Sequence, residues 1–138
     1  MPDHLTRERR SLAMRRVKLR DGSLEKLIHC ELRARGLRFK RHVSTLPGRP
    51  DIVFPKQKVA VFVDGDFWHG WRLPIWEHKL SPFWRDKIRA NRHRDGRNFR
   101  KLRSRGWTVI RLWQHEIIAD IEACMARIEI KVSRHYAH

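Results

Sequence analysis

Residues 59–63 read Val-Ala-Val-Phe-Val, five apolar residues in a row. A strand alternates its side chains between two faces, so a strand with no polar residue needs apolar cover on both. The rest of the chain supplies that cover. Asp21-Gly22-Ser23 and Gly36 bracket a helix whose stripe is Leu24, Leu27, Ile28 and Leu32. A long helix is predicted from Pro82 to Arg105, ending at Gly106, with Trp84, Ile88, Phe99 and Leu102 on its apolar face. Residues 116–130 repeat apolar residues at helical spacing and close the domain. Residues 37–43, 51–54 and 107–113 read as further strands, and Pro-Lys-Gln-Lys at 55–58 turns two of them into a hairpin. The order is helix, strand, hairpin, long helix, strand, helix. That order gives an α/β fold, a central mixed β-sheet flanked by helices.

Charge decides what such a fold would meet. The 138 residues hold 32 Lys and Arg against 15 Asp and Glu, a net charge of +17. The partner this implies is a polyanion, with nucleic acid first. No long uncharged apolar run and no lipidation signal supports a membrane role. Residues 1–20 form a basic arm, read either as a segment that orders against DNA or as a solvated tail, and residues 21–138 a single domain. Cys30 and Cys124 belong to no CxxC pair, and the N-terminus lacks the apolar core of a signal peptide. Both features point to reduced thiols in a cytoplasmic protein.

Chemistry concentrates at the end of the buried strand, in Val-Phe-Val-Asp-Gly-Asp-Phe-Trp-His-Gly, residues 61–70. A hairpin turning at Gln57 sets Asp51 opposite Val63. Asp51 then offers a carboxylate to Mg²⁺, and the main-chain carbonyl of Val63 a second oxygen, the donors a hard cation takes. His69 has the ordinary pKa of a general base near neutrality. Glu25 falls at the edge of the first helix's stripe, where it either serves that site or simply favours the helix dipole, and Asp64 is a candidate for the same layer. Phe67 and Trp68 follow a glycine in a loop of a basic protein, so they read as a wedge for a base stack or as core. Asn91 and Asp95 interrupt the long helix's apolar face and need polar partners; an arginine for Asp95 is the default, with Arg94 nearby.

These blocks resemble the very short patch repair (Vsr-type) DNA mismatch endonucleases, of the restriction-endonuclease-like PD-(D/E)xK superfamily. The resemblance rests on Met-Arg-Arg-Val-Lys-Leu-Arg-Asp-Gly-Ser-Leu-Glu at 14–25, Leu-Pro-Gly-Arg-Pro-Asp-Ile-Val at 46–53 and residues 61–70. It continues through Phe-Trp-Arg-Asp-Lys-Ile-Arg-Ala-Asn-Arg-His-Arg-Asp at 83–95 and residues 102–116. It implies a restriction-endonuclease-like three-layer sandwich and Mg²⁺-dependent nicking 5′ of the thymine in a T:G mismatch. Carried over, Asp51 is the metal-binding carboxylate, Val63 a carbonyl ligand, His69 the base and Glu25 a support. Phe67, Trp68 and Trp84 become intercalating rings, a role for Trp84 that conflicts with its place in the helical stripe. The arm at Met14, Arg15 and Arg16 closes over double-stranded DNA. A monomer in a bacterial cytoplasm, associated with the nucleoid and open to a mismatch-repair protein partner, completes the expectation. Family members often carry a cysteine where this chain has Asp66, and a His/Cys cluster after the Trp-His pair, together making a zinc site. Here His115 stands at a position that can be a ligand but the middle ligands are missing, so no structural zinc is expected. Two alternatives stay open: a nuclease of this type with other DNA specificity, in homing or phage defence, and a DNA-binding module without catalysis.

Overall fold

A computed structural model describes residues 23–133, so the basic arm, with Met14, Arg15 and Arg16, lies outside the described residues. Ten elements follow in order. They are α1 (Ser23–Ala34), β1 (Lys40–Arg41), β2 (Ile52–Phe54), β3 (Val59–Asp64), α2 (Leu73–Trp76), a 3₁₀ turn (Glu77–Lys79), α3 (Pro82–Ser104), β4 (Thr108–Trp113), α4 (Gln114–Ala119) and α5 (Ile121–Ser133). One mixed sheet has the order β1-β2-β3-β4; the first two pairings are antiparallel and β3 runs parallel to β4.

The apolar strand sits in the middle, as its composition requires. Val59 and Val61 face a core shared with Ile28 and Leu32 of α1 and with Ile117, Met125 and Ile128 of α4 and α5. Ala60 and Phe62 face the other way, onto Phe99 and Leu102 of α3. The result is a three-layer α/β sandwich. Among the described residues no helix is long and apolar enough to cross a membrane, and both cysteines are free thiols.

Three local expectations change. The strand expected over 37–43 pairs only at Lys40 and Arg41, because His42 turns into the left-handed region at φ +50°. The closing helix is two helices, broken at Asp120, whose extended backbone stops α4 and whose carboxylate accepts from the Ala123 amide to cap α5. The hairpin pairs Ile52 with Val61, so Asp51 continues opposite Phe62, one residue away from the expected Val63. The turn centre lies half a residue earlier than Gln57, and in a strand half a residue at the turn is a whole residue of register.

Candidate active site

The parallel ladder pairs Phe62 with Arg111 and Asp64 with Trp113, on the face that meets α3. Buried Asp64 accepts from Arg111 Nε at 2.6 Å, and the same guanidinium donates through Nη2 to Asp95 of α3 at 2.9 Å. The guanidinium carbon lies over the Trp113 ring at 4.1 Å and the Phe99 ring at 5.0 Å from their centres. Into this framework the loop after β3 delivers His69, whose Nδ1 meets Asp95 Oδ2 at 2.6 Å and whose Nε2 lies 3.4 Å from Asp64 Oδ1. Gly70 makes that delivery possible. It has φ +68°, and a Cβ there would fall within 2.7–2.9 Å of Ile88 and Arg92, so only glycine lets the loop press against α3.

Burial pushes the Asp64 carboxyl up, against the pull of His69 and Arg111. Burial alone would lower His69, but its hydrogen bond to Asp95 and the charges of Asp64 and Asp95 outweigh it and leave the imidazole raised.

Asp51 stands at the mouth of β2, on the wall of the same cavity of about 190 Å³ that Val63, Asp64, His69 and Asp95 line. One carboxylate oxygen accepts from the Val63 amide at 2.7 Å. The Val63 contact is therefore to its N–H, although Val63 is not the residue directly opposite. Burial raises Asp51 to about 7, against that hydrogen bond, with Glu25 and Asp64 adding to the rise. Glu25 is half-buried on α1, beside Asp51 but outside that cavity; its neighbours are His42 at 2.9 Å and His29 at 3.8 Å.

The same loop turns two rings outward. Phe67 is 42 % and Trp68 49 % exposed. Trp84 joins them, 5.5 Å from Trp68 and 6.1 Å from Phe67 between ring centres. Its place in the helical stripe does not bury it: Trp84, in the first turn of α3, is exposed. Lys87 lies over this ledge, with its ammonium within 6 Å of the Trp68, Phe83 and Trp84 rings. Asn91 holds the loop by donating to the Trp68 carbonyl at 2.9 Å, and Arg94 bonds Asn91, not Asp95. Asp66 accepts from His115 of α4, ring and backbone, with Nδ1 at 2.8 Å; Trp71 covers that ring at 4.0 Å.

Residues 2–73 match the DNA mismatch endonuclease Vsr family. The chain is 41 % identical over 130 residues to the type II nicking enzyme V.XorIIP of Xanthomonas oryzae pv. oryzae, covering 93 % of this chain and 95 % of that one. It is 34 % identical to the DNA mismatch endonuclease Vsr of Escherichia coli K12, over 94 % and 86 % of the two chains. To the type II nicking enzyme V.NmeDIP of Neisseria meningitidis serogroup C it is again 34 % identical, over 91 % and 87 %. The chain belongs to the Vsr family. It is a DNA endonuclease.

In this Vsr-family site a divalent cation fits the donor set. Asp51 and Glu25 lie together, and among the described residues neither pairs with a lysine or arginine, in a protein where arginine is abundant. The structure brings Asp51, Asp64 and His69 to one cavity, sets Glu25 at its back, and puts Phe67, Trp68 and Trp84 on one ledge. Sequence reasoning missed Arg111 and His42, and it placed Asp95 in a structural pair without seeing His69 on the same carboxylate. The signal for Arg111 was present: a lone arginine at the centre of an apolar strand needs buried acids to meet.

Proposed function

We propose that this chain is a Mg²⁺-dependent endonuclease that nicks one strand of duplex DNA 5′ of the thymine in a T:G mismatch, the lesion left when 5-methylcytosine deaminates. One observation carries the reading. A single loop, residues 65–70, turns an imidazole into a carboxylate-lined cavity and two aromatic rings out to solvent. The names of its relatives, a mismatch endonuclease and nicking enzymes, point the same way.

Asp51 and the main-chain carbonyl of Val63 would hold the cation, with Glu25 supporting it. Bound there, Mg²⁺ screens the phosphate's charge and makes water more acidic. The chain's own residues do the rest. Asp95 takes the Nδ1 proton of His69 in a hydrogen bond, which fixes the tautomer and leaves Nε2 facing the cavity as the acceptor. Water's oxygen bonds to phosphorus, its proton passes to Nε2, and one phosphorus–oxygen ester bond breaks; the leaving oxygen takes a proton from solvent. Arg111 keeps Asp64 and Asp95 in place by sharing their charge. Phe67, Trp68 and Trp84 unstack a base step at a cost of a few kcal/mol, least where the pair is already mismatched, and this favours the lesion. The arm with Met14, Arg15 and Arg16 adds contacts to the DNA backbone, and the enzyme acts as a monomer.

The test is a panel of duplexes bearing each single mismatch, plus a perfect duplex, incubated with and without Mg²⁺. Nicking of T:G, dependent on Mg²⁺ and faster than every other duplex, is expected. Equal nicking of matched and mismatched DNA would defeat the mismatch reading, and cleavage surviving chelation would defeat the metal.

A further inference from the structure

Among the described residues, two groups of side chains bring ligand atoms within 4.8 Å of one another: Asp64, His69 and Asp95, and Glu25, His42 and Asp51. Arginine treats them differently. Arg111 bridges both acids of the first group, whereas among the described residues no lysine or arginine pairs with either acid of the second. The second group joins three elements. Glu25 comes from α1, His42 from the end of β1 and Asp51 from the start of β2, with the His42 amide donating to the Asp51 carbonyl at 3.1 Å. His42 Nε2 approaches Glu25 Oε1 to 2.9 Å, yet that buried oxygen has no hydrogen-bond partner of proper geometry. The three side chains converge with their ligand atoms within 4.8 Å of one another, close enough to share a cation.

His29 gives the independent observation. Its side chain is 4 % exposed, its Nε2 has no hydrogen-bond partner, and that atom points at the same Glu25 oxygen from 3.8 Å. The ring is stacked on Phe39 at 5.3 Å and so cannot swing to find water. A buried polar atom left this way has lost its hydrogen bond to water without gaining another. A cation drawing on Glu25 gives it a role, as a brace on the carboxylate.

We propose that Glu25, His42 and Asp51 form a mixed oxygen–nitrogen site that binds Mn²⁺, through His42 Nε2, in preference to Mg²⁺. The proposal deepens the nuclease reading and rests on it for Asp51's part. Mg²⁺ takes oxygen donors and gains little from an imidazole. Mn²⁺ also accepts carboxylates and water and, although it stands lowest among the divalent first-row transition metals, takes a nitrogen donor more readily than Mg²⁺ does. The imidazole therefore tips the choice.

The test uses the untagged full-length chain, stripped of metal and titrated with Mn²⁺. Binding is followed by loss of the free-ion electron paramagnetic resonance signal, and nitrogen coordination by electron spin echo modulation. The wild type is expected to show coupling to a directly bound imidazole nitrogen. H42Q should lose that coupling and bind Mn²⁺ about tenfold more weakly or worse, with Mg²⁺ affinity changed much less. H69Q, which leaves this group intact, should keep the coupling. Thermal melting of the metal-free variants establishes that each is folded, and E25Q, which removes an oxygen donor, serves if H42Q is not. E25Q should weaken Mn²⁺ binding while keeping the nitrogen coupling. Coupling that survives in H42Q, disappears in H69Q or is missing from the wild type overturns the proposal; so does unchanged Mn²⁺ affinity in E25Q. A wild type that nicks T:G DNA but shows no nitrogen coupling sinks this site alone. Coupling without nicking of any duplex leaves the site standing and sinks the nuclease reading.

Discussion

Two acid–histidine groups lie at the same end of the sheet, and they are built on opposite plans. Asp64, His69 and Asp95 are threaded together by Arg111, so their charges are met from within the protein. Glu25, His42 and Asp51 carry two acids with no arginine among the described residues; burial first, and then the Glu25 and Asp64 charges, make the Asp51 proton hard to remove. A group neutralised internally can be rigid and trade a proton. A group left unneutralised invites a cation, and loses stability to its own repulsion when none is there. On the function proposed above, the difference fits proton transfer at the first and metal binding at the second, using the same residue types.

The comparison breaks first at Asp51. Asp51→Ala is expected to lower the nicking rate on T:G duplex by at least about a thousandfold while DNA binding, read by fluorescence anisotropy, changes little. Its effect on the metal-free fold has the opposite sign. The folded pKa of about 7 lies above the ordinary carboxylate value, so Asp51's contribution is full at low pH and lost as pH rises through 7. Above that pH the variant should be the more stable protein in chelator. A variant less stable there than the wild type would mean that Asp51's charge is met by something other than metal.

Arg111→Met tests the other plan. It leaves two buried acids, Asp64 and Asp95, to share His69 without the guanidinium that bridges them, so stability by denaturant titration should fall by about 3–5 kcal/mol. An effect under about 1 kcal/mol would show that the arginine is not what holds the group. Asp95→Asn is milder. It keeps a hydrogen-bond acceptor for His69 but removes a charge that raises the imidazole pKa. Nicking should slow by about 10–100-fold, and the acid limb of the pH–rate profile should move to lower pH. A slower enzyme with an unmoved limb would make Asp95 a structural residue only.

How much of this could be read beforehand follows the range of the interaction concerned. Val59–Val63 announced a central strand because burial on both faces is written in five adjacent residues. That Asp51 and His69 come to one cavity, and that Phe67 and Trp68 stand on an exposed loop beside it, was legible from local blocks. The Asp51–Val63 register was off by one residue because nothing in Pro-Lys-Gln-Lys fixes where the turn centres. Trp84 was ambiguous because helical spacing says which face a residue is on and not where the sheet beneath it ends. Asp95's bond to His69 spans 26 residues and its bond to Arg111 spans 16, through a parallel crossover, and no periodicity encodes such a meeting. His42 was hidden for a different reason: it sits where a regular strand was expected, and its turned backbone is what brings it to Asp51.

The smallest expected effect separates the two groups by pH. Burial first, then the charges of Arg41, Arg33 and His42, lower His29 from 6.5 to about 4. The folded protein therefore binds this proton more weakly than the unfolded chain does. His29's contribution is full above 6.5 and is lost as pH falls through 4. His29→Phe keeps the stack on Phe39 and cannot take up a proton. The variant's melting temperature relative to the wild type should therefore rise when metal-free protein is moved from about pH 7.5 to about pH 5. Asp51 titrates across part of the same window with the opposite sign, but it is present in both proteins, so most of its share cancels in the difference. A difference that stays constant with pH would mean that His29 is already hydrogen-bonded in the fold, and Glu25 would then be braced without any metal.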